Sequence, residues 1–391
     1  MHGISLLCLM LLMFSLPGTQ AQPQLWQPVH VKGQVNFDWY VQPMLRYANY
    51  ITNPDLMAAD KVTPDKASQY LYDRPRVLMQ LYMFTGDVKW KNEAIAASKH
   101  YISHIGEDGF FSLVAKKDIK YLMPKGLHYY FQLTQDNEAR KAIARIYRAS
   151  LNWEPQYIGS GVFSTGFWTE RNQAAALDAA VTYFELTNDE SARERIEDIL
   201  STTTAMVETP ENNWPQRYCP QHSFKSHEGG AEDDAVCSTW MLALLADPIW
   251  RYQQITKSDK ARTLLQHFGQ FILQFGTYTG TDKFAGQVFP KYLVVFDNPQ
   301  LEELNPWNDM QHSCDVAALL GKALYLSDTV TTEAAATFHA LLAPCKNKQA
   351  RLKDNQPYWK VKPPRKFGWE YSTTSELPWL EHVISSGQQA H

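Results

Sequence analysis

A short phrase recurs along the chain, in which an amphipathic segment ends in aromatic or aliphatic residues, meets a turn of the Thr-x-Asp type, and restarts as a second amphipathic segment. The copies are LYMFTGDVKW from Leu81, YYFQLTQDNEAR from Tyr129, TYFELTNDESAR from Thr182, YQQITKSDKAR from Tyr252 and the looser ALYLSDTVTTEAA from Ala323. The threonines of the first four copies are 49, 53 and 69 residues apart. A repeat of this length predicts a series of helix–turn–helix units.

The segments on both sides of each turn have the apolar spacing of amphipathic helices. One example is the set Ala176, Ala179, Ala180, Tyr183 and Phe184. Thr and Asp at the turns are good N-caps, because their side chains accept hydrogen bonds from the free N–H groups of the next helix. A first helix is predicted over about 38–51, and strand patterns are confined to 110–114 and 288–296.

Five to seven hairpins of this size either stack into an open solenoid or close into an α/α toroid with the first helices inside. Alanine-rich first helices, such as the one that contains Ala174, Ala175 and Ala176, favour an inner ring in which backbones approach closely. Long polar connections between the hairpins also favour a closed ring. The sequence therefore predicts an all-α protein, an α/α toroid of about six or seven hairpins with a few short strands in its loops.

The first residues predict the compartment. Ile4 to Leu16 is an almost unbroken apolar run, followed by Pro17, Gly18 and a small-residue site that ends at Ala21. This pattern predicts a signal peptide over 1–21 and one catalytic domain over 22–391. A membrane anchor is the alternative, but the run is shorter than the about 20 apolar residues that span a bilayer. We therefore expect a secreted or periplasmic protein without a membrane span.

Four cysteines follow the predicted signal peptide: Cys219, Cys237, Cys314 and Cys345. An even number in an exported protein predicts up to two disulfides, with three possible pairings. The spacing excludes a zinc site of the usual kind, because no two of these cysteines are two to four residues apart. The net charge of -4 and the lack of a concentrated Lys/Arg block exclude nucleic acid as a probable partner class.

Polar, titratable and aromatic residues precede or open the first helix of five repeats. If every repeat has the same order of helix, turn, helix and long loop, these residues share one face of the ring. They are Asp73, Arg74 and Arg76; Lys125 and His128; Glu170, Arg171 and Asn172; His227, Glu228, Asp233 and Asp234; and Trp307, Asn308, Asp309 and His312. The positive N-terminal ends of the helices point at the same face and favour an anion there. A uronic acid carboxylate fits this site, with an anionic polysaccharide or oligosaccharide as substrate.

Three segments of this face carry most of the expected chemistry. WTERNQAAALDA places Arg171 and Asn172 at the start of a helix whose next turns are apolar. SHEGGAEDDAVC holds His227 beside two glycines that allow tight turning. A disulfide between Cys219 and Cys237 would fix this loop at both ends and contribute about 3 kcal/mol. VFPKYLVVFD places Tyr292 in a predicted extended loop.

With this hairpin repeat, an Asn at an inner-helix start and a His one repeat later, the chain resembles the helical-toroid polysaccharide lyases, alginate lyases among them, and more distantly the six-hairpin glycosidases. The resemblance implies that Asn172 and Arg171 neutralise a uronate carboxylate and that His227 is a neutraliser or base. It implies that Tyr292 is base and acid, with Tyr218, Tyr252 and Tyr278 as rivals. It implies no metal or other cofactor, because protein donors can stabilise the enolate-like intermediate.

Two other functions remain open on the sequence alone. A glycoside hydrolase needs two carboxyl groups on either side of the scissile bond, and Glu170, Glu228, Asp233 and Asp234 are available for this role. A glycan-binding protein without catalytic activity would use the same face only to hold its ligand. An unsaturated product, seen by its near-ultraviolet absorbance, would distinguish the lyase from both.

Overall fold

A computed structural model describes residues 35–59, 67–115, 117–153, 169–210, 213–224, 234–351 and 365–387. The predicted signal peptide lies outside these residues and stays a prediction. The helices are α1 (Asp38–Ile51), α2 (Pro54–Ala59), α3 (Arg74–Thr85), α4 (Val88–Ser103), α5 (Lys125–Thr134), α6 (Asn137–Ser150), α7 (Glu170–Thr187), α8 (Glu190–Glu208), α9 (Thr239–Thr256), α10 (Asp259–Gln274), α11 (Pro306–Asp309), α12 (Ser313–Tyr325), α13 (Thr332–Arg351), α14 (Arg365–Tyr371) and α15 (Leu377–Ser386). The strands are β1 (His222–Ser223), β2 (Ala235–Cys237), β3 (Thr277–Thr279), β4 (Val288–Pro290) and β5 (Val294–Val295).

The repeated turns join the helices as predicted, with one correction. Each threonine is the last residue of the first helix and is not an N-cap: Thr85 Oγ1 donates to the Leu81 carbonyl within its own helix and accepts from the backbone N–H of Asp87. Asp87 then caps α4 by accepting from the backbone N–H of Lys89 at 2.8 Å. The turns at Asp136 and Asp189 have the same arrangement, whereas Ser258 is the cap in the fourth.

Each hairpin contributes one inner and one outer helix. The inner helices are α3, α5, α7, α9 and α12, and their outer partners are α4, α6, α8, α10 and α13. Consecutive inner helices pack on each other, while α15 packs on α12 and α14 packs on α3. The C-terminal helices therefore close the ring, with α1 outside them against α13 and α14. The prediction of an all-α toroid with a few short strands in its loops is confirmed.

Small side chains allow the closest contact in the ring, between α7 and α9. Ala175, Ala176, Ala179 and Ala180 of α7 are all buried. The inner helices differ in length, since α5 has 10 residues and α7 has 18. Both end at the threonine of their turn, so α5 begins deeper in the ring. We call the end where α7, α9 and α12 begin the front of the ring, and the end with the Thr-x-Asp turns the rear.

Short strands and two disulfides brace the front. β2 pairs antiparallel with β1 and with β5, immediately before α9 begins. Cys219 is bonded to Cys237 at the end of β2, and Cys314 in the first turn of α12 is bonded to Cys345 in α13. The expected two disulfides are confirmed, and the structure resolves which of the three pairings forms. Within the described ranges, no helix is long and apolar enough to cross a membrane.

Candidate active site

Five aromatic rings from distant parts of the chain meet at the front of the ring. They are Tyr72, Trp240, Tyr292, His312 and Trp369, and we call them the aromatic floor. The Trp240 indole stacks on the His312 imidazole with ring centroids 5.0 Å apart, and lies 5.1 Å from Trp369 and 5.8 Å from Tyr292. Tyr72 joins through Trp369, at 5.4 Å. Tyr292 and Trp369 are partly exposed, so two rings of the floor are open to a ligand.

Arg171 places a cation over this floor. It occupies the second position of α7, and its guanidinium carbon lies 5.7 Å from the centre of the Trp240 ring. Its Nη1 is 3.5 Å from the Tyr72 hydroxyl, which is a weak contact. Among the residues that the structure describes, Arg171 forms no ion pair.

A cleft of about 670 Å³, which we call the front cleft, reaches the surroundings of the floor at Arg171, although the five rings themselves do not line it. Its lining includes Arg171, Asn172, Lys117, Lys120 and Trp153. The Asn172 amide oxygen accepts a hydrogen bond from Thr169 Oγ1 at 2.6 Å, so the side chain is held by the residue that precedes α7. The structure thus brings Arg171, Asn172, Tyr292 and His312 to the front, as predicted, whereas their roles remain untested.

Glu170 is at the front but does not line the cleft. Its side chain is fully buried between α7 and α9, where it accepts from the Ser238 backbone N–H at 2.9 Å. Burial raises the pKa of Glu170 to about 8, and the Ser238 N–H and Arg171 offset this only in part. Glu170 therefore joins two inner helices, with its Oε1 also 3.5 Å from Nδ1 of the buried His222, and its predicted contact with substrate stays a prediction.

Two other described carboxyl groups lie near the front. Asp315, in the first turn of α12, is buried like Glu170, and its Oδ2 lies 3.5 Å from Nδ1 of His312, which belongs to the floor. Asp234 is partly exposed immediately before β2, and its carbonyl accepts from the backbone N–H of Phe224. Asp315 had no place in the sequence prediction. Its signal was only its position three residues after His312.

Several predicted residues do not share the front face. Lys125 reaches Glu185 near the end of α7, with Nζ 2.7 Å from Oε2, and His128 lies 3.4 Å from the same oxygen. Both residues belong to the rear, because α5 is short and begins deep in the ring. Arg74 donates to the Gln69 side chain and to the Ile51 carbonyl and does not line the front cleft. The prediction of one common face is wrong for Lys125 and His128.

Trp307 is also separate from the aromatic floor. Its ring packs edge-on against Phe284, with centroids 5.0 Å apart, and Lys283 Nζ lies 4.3 Å above it. These residues form a small cluster with Phe289 and Met310. His227, Glu228 and Asp233 lie outside the described residues, so their predicted places are not tested.

The rear holds a second cleft of about 610 Å³, which we call the rear cleft. It is lined by Arg76, Lys125, His128, Tyr129, Gln132, Glu185, Trp250, Arg251, Gln254, Ile255, Tyr325, Glu376 and Trp379. Its charged groups are paired: Arg76 binds both carboxylate oxygens of Asp247 at 2.7 and 3.0 Å, and Arg251 binds Asp178 and Glu185. Burial opposes ionisation of Glu185, yet Arg251 and Lys125 hold its pKa well below the usual range.

No protein-family model matches this sequence, and no curated protein is significantly similar to it. Solved structures share its fold. An unsaturated glucuronyl hydrolase from Streptococcus agalactiae has a TM-score of 0.58 and 10% identity over 90% of this chain and 94% of its own. An α-1,6-mannanase from Salegentibacter has a TM-score of 0.56 and 11% identity over 89% and 100%. A polysaccharide lyase has a TM-score of 0.53 and 10% identity over 88% and 97%. These solved structures, most of them glycoside hydrolases, have the same α/α toroid fold as this chain.

Proposed function

We propose that this protein is an exported glycoside hydrolase that binds a uronic acid residue of an oligosaccharide at the front cleft. The observation that supports this most is Arg171, a guanidinium with no ion pair in the described part of the chain, held over an aromatic floor. Guanidinium groups bind carboxylates through two parallel hydrogen bonds. The two disulfides suit export to an oxidising compartment.

The floor suits the rest of a sugar. The flat C–H faces of a pyranose ring pack on partly exposed aromatic rings, and Trp369 and Tyr292 provide two such surfaces. Asn172 adds an amide beside the guanidinium at the start of α7. A small number of polar groups above an apolar surface is the usual composition of a small-molecule site. A uronate that stacks on the floor would therefore meet Arg171 with its carboxylate.

The carboxyl groups for acid–base catalysis come from the same face. Asp315 is one, beside His312. The mannanase with the same fold is inactive when two consecutive aspartates are replaced by alanine. This chain has one consecutive pair, Asp233 and Asp234, directly before β2. We propose that Asp315 and this pair supply the general acid and the group that activates water.

The direction of an absorbance change tests the reaction. The mature protein is incubated with unsaturated glucuronyl disaccharides and, separately, with intact uronate polymers and mannan. A hydrolase that removes an unsaturated uronate lowers the near-ultraviolet absorbance, because the conjugated double bond is lost after release. Hydrolysis of a saturated glycan releases reducing ends at constant absorbance. Asp234→Asn and Asp315→Asn should each lower turnover by about 10²- to 10⁴-fold with unchanged melting; full activity in both variants contradicts the assignment.

A β-eliminating lyase is the second candidate, because Arg171 and Tyr292 contact the same Trp240 ring. In that reaction Arg171 and Asn172 would neutralise the uronate, and Tyr292 or His227 would take the proton from C5. Absorbance would then rise with intact alginate or another uronate polymer. Tyr292→Phe keeps the ring and removes the hydroxyl, so a selective loss of this activity would favour the lyase. A decrease in absorbance with the disaccharides would exclude it as the main reaction.

A further inference from the structure

The rear cleft has a wall of three aromatic rings. Tyr325 lies edge-to-face with Trp379 at a centroid distance of 4.8 Å and with Trp250 at 5.8 Å. Tyr325 and Trp379 are partly exposed, while Trp250 is buried behind them. Edge-to-face packing fixes the rings relative to one another. The wall therefore presents a rigid apolar surface inside a cleft whose volume of about 610 Å³ lies within the range of small-molecule sites.

The charges of the rear cleft cancel. Four cations surround it, and each lies within salt-bridge distance of a carboxylate: Arg76 with Asp247, Lys125 with Glu185, Arg251 with Asp178 and Glu185, and Lys322 with Asp247 and Glu376. These are four cations and four carboxylates. A charged ligand would have to break one of these buried pairs, which is costly in free energy. A neutral ligand leaves them intact.

Two buried acceptors of this cleft have no hydrogen-bond partner in the described part of the chain. They are Oε1 of Gln132 and Oε2 of Glu376, and the latter is 3.7 Å from Lys322 Nζ. An unpartnered buried acceptor is unfavourable and requires a donor. Gln254, partly exposed at the rim, adds another amide. The cleft thus combines an aromatic surface with acceptors that need O–H donors.

We propose that the rear cleft is a second carbohydrate site, which binds a neutral hexopyranose. The apolar face of the sugar packs on Trp379 and Tyr325, and its hydroxyl groups donate to Gln132 and Glu376. This inference does not depend on the reaction at the front cleft. The two ends would then hold different sugars, an anionic one at the front and a neutral one at the rear.

The test uses Arg171→Met as its background, so that binding at the front cleft does not contribute. Isothermal titration calorimetry measures the methyl glycosides of glucose, galactose and mannose, together with methyl glucuronide and glucosamine as charged counterparts. At least one neutral hexoside should bind, and it should bind more tightly than its charged counterparts. Absence of binding by all three neutral hexosides, or tighter binding of a charged sugar, overturns the proposal.

Two tryptophans provide a matched pair, because both are partly exposed and lie at opposite ends of the ring. Trp379→Leu should weaken hexoside binding by about tenfold or more, since it removes the ring that the sugar contacts. Trp369→Leu, at the front, should leave it unchanged. Gln254→Ala, at the rim, covers the case in which Trp379→Leu does not fold, and should weaken binding by about fivefold. Hexoside binding that survives both rear substitutions overturns the proposal.

Discussion

Two arginines on inner helices, Arg171 at the front and Arg251 at the rear, have opposite surroundings. Arg251 is buried and binds Asp178 and Glu185. Arg171 is partly exposed and lies over Trp240, without an ion pair among the described residues. The first arrangement stabilises the ring, because its charges are matched within the protein. The second leaves one charge for a ligand, so unmatched charge is a better guide to a binding site than the number of charges.

The same contrast occurs within α7, between its two glutamates. Arg251 and Lys125 hold the pKa of Glu185 at the rear well below its usual range, whereas burial raises the pKa of Glu170 at the front to about 8. Glu185→Gln should lower the free energy of unfolding by about 3–5 kcal/mol, because it leaves Lys125 and Arg251 without their partner. The matched variant Glu170→Gln should lose no stability at pH 7, since the amide oxygen still accepts from Ser238 and the side chain cannot ionise in the unfolded chain. Denaturant unfolding measures both.

Equal losses of stability in Glu185→Gln and Glu170→Gln would contradict this comparison. They would show either that both glutamates are ionised or that the ion pairs of Glu185 do not contribute to stability. The activity of Glu170→Gln adds a second criterion. A fully buried residue that joins α7 and α9 should not alter turnover, so a collapse of activity with normal stability would return Glu170 to the group of catalytic candidates.

The disulfide between Cys219 and Cys237 should have the next largest effect. It closes a loop with a sequence separation of 18 residues, and the double variant Cys219→Ser, Cys237→Ser should lose about 3 kcal/mol of stability. Activity should fall as well at temperatures where the protein remains folded, because the bond anchors the approach to α9 and Trp240. A purely thermal effect, with unchanged turnover in the folded protein, would show that the front does not need this anchor.

The sequence was sufficient for the fold because the repeated turns carry local information. Thr85, Asp87 and their counterparts make hydrogen bonds within a few residues, so each hairpin is recognisable from its own segment. The helix boundaries at 38–51 followed from the same spacing. The length of each helix relative to the depth of the ring cannot be read from its own segment. Because α5 is short and begins deep in the ring, Lys125 and His128 lie at the rear, although both belong to the first turn of a first helix as predicted.

The site could be predicted only in part. Arg171 and His312 were found from their positions at helix starts and Tyr292 from a predicted extended loop, and the structure brings the three together around Trp240. Trp240 itself and Trp369 were missed, since an aromatic residue in a helical segment gives the same pattern whether it packs in the core or lines a cleft. Only long-range packing distinguishes the two.

Arg171→Met tests the unmatched charge of the front. A charged hydrogen bond contributes about 1.5–3 kcal/mol, so kcat/KM for a uronate substrate should fall by roughly 10- to 100-fold. Stability should change little, because Arg171 leaves no carboxylate unpaired among the described residues and its contact with the Tyr72 hydroxyl is weak. Arg140→Met makes the same change of charge on the exposed surface of α6 and serves as the control. Equal activity in the two variants would remove the uronate from the proposed substrate.

The last expected effect concerns the pH dependence of stability. Folding raises the pKa of Glu170 from 4.5 to about 8 through burial, so its contribution is fully present below pH 4.5 and is lost as the pH rises towards 8. Over this range the slope is up to about 1.4 kcal/mol per pH unit, the value for one proton. Glu170→Gln cannot ionise, so the variant should lack this part of the slope and become more stable than the natural protein as the pH approaches 8. Unfolding curves at a series of pH values give both slopes, and their difference isolates Glu170 from the other groups. Parallel curves would show that this carboxyl ionises at its ordinary pKa and that the front of α7, like its rear, carries a charged glutamate.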